Sequence, residues 1–463
     1  MQLRRTVLPL LASAALLAGV AVATTPVPND VPAQPGVVTS VRTHNEVVTW
    51  DRYNAAGKRI GTKSWRRTDA GGDCCEVYGH TTQAGRIYEF GGTYLFFSDD
   101  RGVTWKQVTY ALPPGVLPNG EGAVTVAPNG DIVGITWDPY SGDVLTGYKY
   151  TAATKKFETA FTPLHGPFFD RPWVSIVKGP ITIGGKTVPY ATLVRGAYPS
   201  KDVEYLSADG LHYDVLTVPP VDSAADNAES ATYYVPVKKD ATADWNQDVP
   251  AAHATTLNAG GALHYRKADD LDAPGCEVTL MRTSDATWHC VKAPASLRGT
   301  VVRQDSRGWL TQAYPSTDGK GWRVEISTDG GRHWSGVTVK SPVGGTIEGW
   351  LPTSDAVNTS NPLHDLKVNG KLGKAALITR FDKVKGKPGQ DMVFLIDVSK
   401  GKPRLVETDL VGDGNLVTAN DAVSGASGDR MDYMTIAFLP DGKLVASFDD
   451  KAGKGSPQLA IAV

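Results

Sequence analysis

Two short stretches constrain this chain more than any other feature. Ser98-Asp99-Asp100-Arg101-Gly102-Val103-Thr104-Trp105 and Ser327-Thr328-Asp329-Gly330-Gly331-Arg332-His333-Trp334 share the pattern S-x-D-x-G-x-x-W. An alternating strand precedes each, over Tyr94 to Phe97 and over Arg323 to Ile326. Each position has a physical reason. The Asp carboxylate accepts hydrogen bonds from backbone N–H groups of its own turn. The Gly supplies a positive φ that other residues resist, and the Trp starts the returning strand with a large apolar anchor. A turn of this design is a hairpin clasp, and its recurrence marks a repeated sheet unit rather than a reactive centre. Weaker copies stand at Ser207-Ala208-Asp209-Gly210-Leu211-His212-Tyr213 and, shortened, at Thr283-Ser284-Asp285-Ala286-Thr287-Trp288. Thr151 to Phe157 and Val398 to Leu405 occupy the same place between strands without the Asp-Gly pair.

The pattern resembles the Asp-box (BNR) repeat of sialidases and related β-propellers, over most of the chain beyond the first residues. The resemblance implies an all-β fold, a β-propeller of four-stranded antiparallel blades. In that family the boxes lie on the outer blade edges, away from the substrate. Seven candidate first strands, each with a partner, can be counted. They are Tyr78 with Arg86 to Tyr88, Ala123 to Val126 with Asp131 to Val133, and Trp173 to Val177 with Ala191 to Leu193. Ala231 to Val237 with Leu263 to Tyr265 follows, then Thr300 to Val302 with Trp309 to Thr311. The last are Ile347 to Leu351 with Ala375 to Thr379 and Tyr433 to Phe438 with Lys443 to Ser447. Pro128-Asn129-Gly130-Asp131 and Pro440-Asp441-Gly442-Lys443 are turn signals between such strands. Seven blades are favoured, with the six of true sialidases as the alternative. The termini are expected to close the ring, a strand near Val41 to Trp50 completing the blade that ends at Leu459 to Val463, because closure removes exposed edges. Asp222 to Asn258 and Thr353 to Leu372 read as long polar insertions.

Arg4 and Arg5 precede an apolar run from Val7 to Val22, and Ala21-Val22-Ala23 is an A-x-A cleavage pattern. Residues 1–23 are therefore expected to be a signal peptide, 24–36 a flexible mature N-terminus and 37–463 a single propeller domain of a secreted, extracellular protein. No other apolar run is long enough to span a membrane. Eleven Trp, 49 Gly and 30 Pro suit many short strands joined by turns. A net charge of −2 with interspersed signs points away from nucleic acid and anionic membranes; a monomer is expected. Cys276 and Cys290 bracket a strand-turn-strand stretch, which in an oxidising compartment favours a disulfide contributing about 3 kcal/mol. Adjacent Cys74 and Cys75 would close a strained, more reducible ring. No P-loop, Rossmann or nucleophile-elbow context is present.

The residues that open the first strands are Asp73 with Glu76, Glu121, Asp170 with Arg171, Glu229, Arg298, Glu348, and Asp429, Arg430, Asp432 with Tyr433. Polar strand-leading loops commonly carry Asp and Glu. The sharper reading is an acidic funnel that holds sugar hydroxyls, a cation such as Ca²⁺, or a general acid/base pair. Crowded carboxylates repel, which raises at least one pKa and suits a general acid. Phe169-Asp170-Arg171-Pro172-Trp173-Val174 and Asp432-Tyr433-Met434-Thr435-Ile436-Ala437 resemble stretches of BNR-containing glycoside hydrolase-like proteins. That resemblance puts Asp170, Arg171, Trp173 and Tyr433 on the substrate face. Asp170 is the acid/base candidate and Tyr433 with Glu229 or Glu348 the nucleophile pair. Arg171, Trp173, Glu121, Glu348, Arg430 and Asp432 are the substrate-binding candidates. Sialidase chemistry, as known for the family, also needs three Arg to hold a sugar carboxylate, because the guanidinium fork matches it. Arg171, Arg195, Arg282, Arg303, Arg380 and Arg430 are available, but no R-I-P stretch stands near the mature N-terminus. The expected function is binding or hydrolysis of an extracellular glycan; the alternative is a non-catalytic propeller that binds a glycan or protein through the same face.

Overall fold

The structure is a computed structural model. It describes residues 33–42, 45–69, 77–78, 80–83, 85–91, 94–109, 121–127, 129–138, 144–163, 170–183, 186–197, 203–216, 256–258, 261–267, 278–282, 287–291, 301–305, 307, 309–329, 333–347, 364–382, 389–416, 435–448 and 458–463. Every element among them is a strand. Antiparallel four-strand meanders recur along the chain. The first is His80–Gln83, Arg86–Gly91, Tyr94–Ser98 and Trp105–Thr109. The second is Glu121–Val126, Ile132–Asp138, Val144–Thr151 and Lys156–Pro163. The third is Asp170–Ile183, Lys186–Ala197, Val203–Ser207 and Asp214–Leu216. The fourth is Thr256–Asn258, Gly261–Lys267, Val278–Arg282 and Thr287–Val291. The fifth is Val301–Gln304, Leu310–Pro315, Gly321–Ser327 and Ser335–Lys340. The sixth is His364–Asn369, Lys374–Asp382, Gly389–Asp397 and Arg404–Leu416. The seventh has Ile436–Phe438, Leu444–Phe448 and Gln458–Ala462, with Arg59–Asp69 as its fourth strand.

Three expected strands move. The first strand of the first unit is His80–Gln83, whereas Val77–Tyr78 pairs in parallel with Gly122 and Ala123 of the second. In the sixth unit Ile347 meets only Phe381, and the first strand is His364–Asn369, inside the stretch read as an insertion. Ile347, Leu366 and Val368 are all buried in one core shared with the fifth unit, but His364–Asn369 pairs with Lys374–Asp382 at six positions and Thr346–Ile347 at two. The strand that completes the last unit is Arg59–Asp69, with Leu459 opposite Thr68. Asn45–Asn54 lies one position further out, between Arg59–Asp69 and Arg404–Leu416, so the N-terminal hairpin links the sixth and seventh units in one sheet. Its reversal is built by Asn54, whose side-chain oxygen accepts from the N–H groups of Ala56 and Lys58 at 3.0 Å, and by Gly57 at φ 74°. Trp65 fixes the choice of strand, being fully buried in the core between the two units. The expected first strand Ala231 to Val237 lies outside the described residues; Thr256–Asn258 takes that place.

The apolar cores lie between successive units. Trp322, Val324 and Ile326 of the fifth face Leu366, Leu377 and Phe394 of the sixth. Ile87, Phe96 and Trp105 of the first face Ala437, Leu459 and Ile461 of the seventh. Tyr88, Leu95 and Phe97 of the first face Val126, Ile132 and Tyr148 of the second. The first, sixth and seventh sheets are thus buried on both sides, so their strands need not alternate apolar with polar. First strands are neighbours in the same sequence: His80–Gln83 beside Glu121–Val126, that beside Asp170–Ile183, and that beside Thr256–Asn258. Val301–Gln304 lies beside His364–Asn369, which lies beside Ile436–Phe438, which returns to His80–Gln83.

Box turns tie the first and third sheets to the sheets that precede them. The Ser98 hydroxyl donates to Asp100 at 2.9 Å and accepts from the Gly102 N–H at 2.7 Å. Asp100 accepts from the N–H and hydroxyl of Thr104. Trp105 is fully buried and its indole N–H reaches the Thr68 hydroxyl of the seventh unit at 2.9 Å. Ser207, Asp209 and Gly210 repeat this against the second unit, where Tyr213 N–H donates to the Thr162 hydroxyl at 3.1 Å. The turn after the sixth unit's third strand keeps more of the design than its sequence suggests. There Asp397, one place earlier than expected, accepts from the N–H and hydroxyl of Ser399, and Gly401 takes φ 67°.

Candidate functional site

Glu121 opens the first strand of the second unit and Asp170 opens that of the third. Those strands are neighbours, so both residues begin at the same end of adjacent inner strands. Asp170 pairs by register with Ala197, and Trp173 with Arg195, with a bulge between the two positions. Bulges re-aim side chains and gather at sheet ends beside functional sites. Arg171 follows within the same strand. Glu229, Glu348, Arg430, Asp432 and Tyr433 lie outside the described residues, as do Cys74, Cys75 and Cys276; Cys290 falls in Thr287–Val291.

The sixth unit shows charged chemistry on its first strand that sequence reading missed. Asp365 and Lys367 are buried on His364–Asn369, 3.3 Å apart. Asp365 also accepts from the Ile436 N–H at 3.0 Å, stitching two neighbouring inner strands together. The signal was the alternation His364-Asp365-Leu366-Lys367-Val368-Asn369, which was absorbed into a polar insertion. His364 is structural, its ring 4.3 Å from that of Trp322.

Arg380 is not available to a substrate carboxylate. It is completely buried and forms a two-point pair with Asp391, at 2.7 Å from Nε and 3.2 Å from Nη2. A second buried set joins the N-terminal hairpin to the sixth unit. Lys63 reaches Asp409 at 2.6 Å and Glu407 at 3.1 Å, and Arg52 also pairs with Glu407. Burial pushes the Asp409 carboxyl up despite the opposing ammonium of Lys63. For Glu407 burial acts upward too, but Lys63 and Arg52 outweigh it and the carboxyl is pulled down. One ammonium shared by two buried carboxylates favours the more exposed of them.

Among the described residues no group of three or more His, Cys, Asp or Glu is placed to hold a metal ion. Among them, too, no helix is long and apolar enough to cross a membrane.

No protein-family model matches the chain, and no curated protein matches it. Three solved structures illustrate the remote likeness that remains. Porphyromonas gingivalis dipeptidyl peptidase 4 is 9% identical with a TM-score of 0.33, over 89% of this chain and 55% of that one, so the chain spans about half its length. A Penicillium chrysogenum α-L-arabinanase is 9% identical with a TM-score of 0.34, over 90% and 98%. The endosialidase of phage phi92 is 10% identical with a TM-score of 0.36, over 93% and 69%. At these values the likeness assigns neither a substrate nor a reaction.

Proposed function

We propose that the chain is an exported, single-domain, seven-bladed β-propeller that binds or hydrolyses extracellular glycans at the end of the ring where the first strands begin. The observation that carries this reading is the placement of Glu121 and Asp170 at the heads of adjacent first strands. Inner strands that radiate around one axis converge such residues on a shared concavity, and two carboxylates in one concavity push their pKa values apart. In this reading Asp170 is the acid/base and Tyr433 with Glu229 the nucleophile pair. Arg171, Trp173, Glu121, Glu348, Arg430 and Asp432 hold the sugar, Trp173 through its flat apolar face. Ca²⁺ is the one cofactor the acidic ring would admit.

The sequestration of Arg380 by Asp391 removes one of the six arginines available to a sialic-acid carboxylate. It favours a second reading, a propeller that binds glycan without turning it over. Purified protein assayed on a panel of fluorogenic glycosides, with and without Ca²⁺, separates the two. Release by wild type but not by an Asp170→Ala, Tyr433→Phe variant supports hydrolysis at this face. No turnover of any substrate by folded protein rejects the catalytic reading.

A further inference from the structure

The ends of the sheets opposite the heads of the first strands carry the box turns. A pocket of about 360 Å³ opens there between the first and second units, beneath the added strand Val37–Val41. Gln34–Pro35, read from sequence as part of a flexible mature N-terminus, pairs with the outer strand of the second unit, so the N-terminal segment clips the two units together over this pocket. The volume is within the ~300–1,000 Å³ of small-ligand sites.

Its floor is aromatic. Phe97 stacks on Phe157 with ring centroids 5.1 Å apart, and Tyr150 lies 4.8 Å from Phe157. Its charge is cationic. The Arg86 guanidinium lies 4.5 Å from the Phe97 ring and 5.0 Å from the Tyr150 ring. Asp99 holds its Nε at 2.5 Å and the Tyr88 hydroxyl accepts from Nη1 at 3.3 Å. The guanidinium is therefore held at two points, with Nη2 left without a partner among the described residues. Lys106 lies 5.5 Å from the Phe97 ring and 3.4 Å from Asp99. Lys155 completes the rim, exposed at φ 56° and without a carboxylate partner among the described residues. Three cations thus face one carboxylate, beside a cluster of aromatic rings.

We infer that this pocket binds a carboxylate-bearing saccharide, such as an oligouronate, its acid group held by Arg86, Lys106 and Lys155 and one ring face laid on the aromatic floor. A pre-oriented guanidinium with a free N–H matches a carboxylate oxygen, and aromatic faces take the apolar face of a sugar while polar rims fix its orientation. The choice of a saccharide rests on the glycan reading above; the anion does not.

The test is calorimetric titration of the full chain with a tetra-uronate, its carboxyl-reduced neutral counterpart, and sodium acetate. Lys155→Gly is the decisive variant, because glycine at a positive φ keeps or improves the fold while deleting the charge. The expected result is binding of the uronate by wild type, about tenfold weaker in Lys155→Gly and in Lys106→Gln, with no binding of the neutral sugar. Binding should also weaken with added salt. Equal affinity for the neutral sugar, no uronate binding by wild type, or unchanged binding by Lys155→Gly overturns the inference. Acetate bound as tightly as uronate would reduce the site to a bare anion site and overturn the saccharide assignment. The Asp170→Ala, Tyr433→Phe variant keeps uronate affinity if the pocket is the site and loses it if the inner end is, which separates failure here from failure of the glycan reading.

Discussion

Replacing Gly102 with alanine tests how the first and seventh units are held together. Gly102 sits in the first box turn at φ 77°, and a Cβ there would stand 2.5 Å from Ile461 Cδ1 and 2.8 Å from Thr68 Cγ2. Both partners belong to the seventh unit, Ile461 in its third strand and Thr68 in the N-terminal strand that completes it. An L side chain in the left-handed region costs about 1–2 kcal/mol, and forcing a methyl into a packed contact adds about 1–3 kcal/mol. The expected total is ~2–5 kcal/mol. Gly57 is the matched control, at φ 74° with nothing nearer than Pro342 Cβ at 3.9 Å. Gly57→Ala should therefore show only the conformational part, about 1–2 kcal/mol. Denaturant unfolding followed by tryptophan fluorescence reads the difference. Ile461→Val removes the Cδ1 atom and should restore part of the Gly102→Ala loss in the double variant. Equal losses at Gly102 and Gly57, with no coupling to Ile461, would refute the claim that the first box turn is wedged against the seventh unit.

Arg380→Met alone should cost about 3–5 kcal/mol by stranding a buried Asp391, whereas Arg380→Met with Asp391→Leu should be near neutral, as read from unfolding midpoints. Lys63→Met should destabilise more at pH 8 than at pH 5. Burial already raises the Asp409 carboxyl, and a group whose folded pKa is raised loses stability as pH rises through that value. The box carboxylates have the opposite sign. Asp329, held low chiefly by the His333 N–H, and Asp397, held low by the Ser399 hydroxyl, give stability that is complete above the unfolded carboxylate value. For Asp209, burial pushes upward but the hydrogen bonds from His212 and Leu211 outweigh it. The melting temperature contributed by these groups should be flat from pH 5 to 8 and fall below about pH 4, and Asp209→Asn should shrink that acid loss.

Local chemistry was the legible part of this fold. Ser98, Asp100 and Gly102 make their hydrogen bonds within one turn, so their spacing in the sequence already describes the geometry. The same holds for Asn129 and Gly130, where the Gly130 N–H closes on Ala127 at 2.9 Å. Strand choice was legible only where one candidate stood alone. Ile347 and Leu366 both sit in strand-like stretches and both enter the core shared with the fifth unit, and what separates them is the longer pairing of His364–Asn369 with Lys374–Asp382. Asn45–Asn54 and Arg59–Asp69 alternate equally well, and only the buried Trp65 and the pairing with Gln458–Ala462 distinguish them. Glu121 and Asp170 were readable because each heads a strand that its own hairpin defines. The aromatic pocket was not. Phe97 and Phe157 meet only because two units pack side by side, though the basic and aromatic run from Lys149 to Phe157 was its visible trace.

The most direct test of the central claim is a binding titration with a neutral glycan selected from an array, against wild type and a Glu121→Gln, Asp170→Asn variant. Both substitutions keep side-chain size, and far-UV circular dichroism confirms the fold of the variant. A glycan seated where the first strands begin predicts a loss of affinity of about tenfold or more in the variant, with Lys155→Gly unaffected. Unchanged affinity in the Glu121→Gln, Asp170→Asn variant would contradict the account and move the glycan to another face of the molecule.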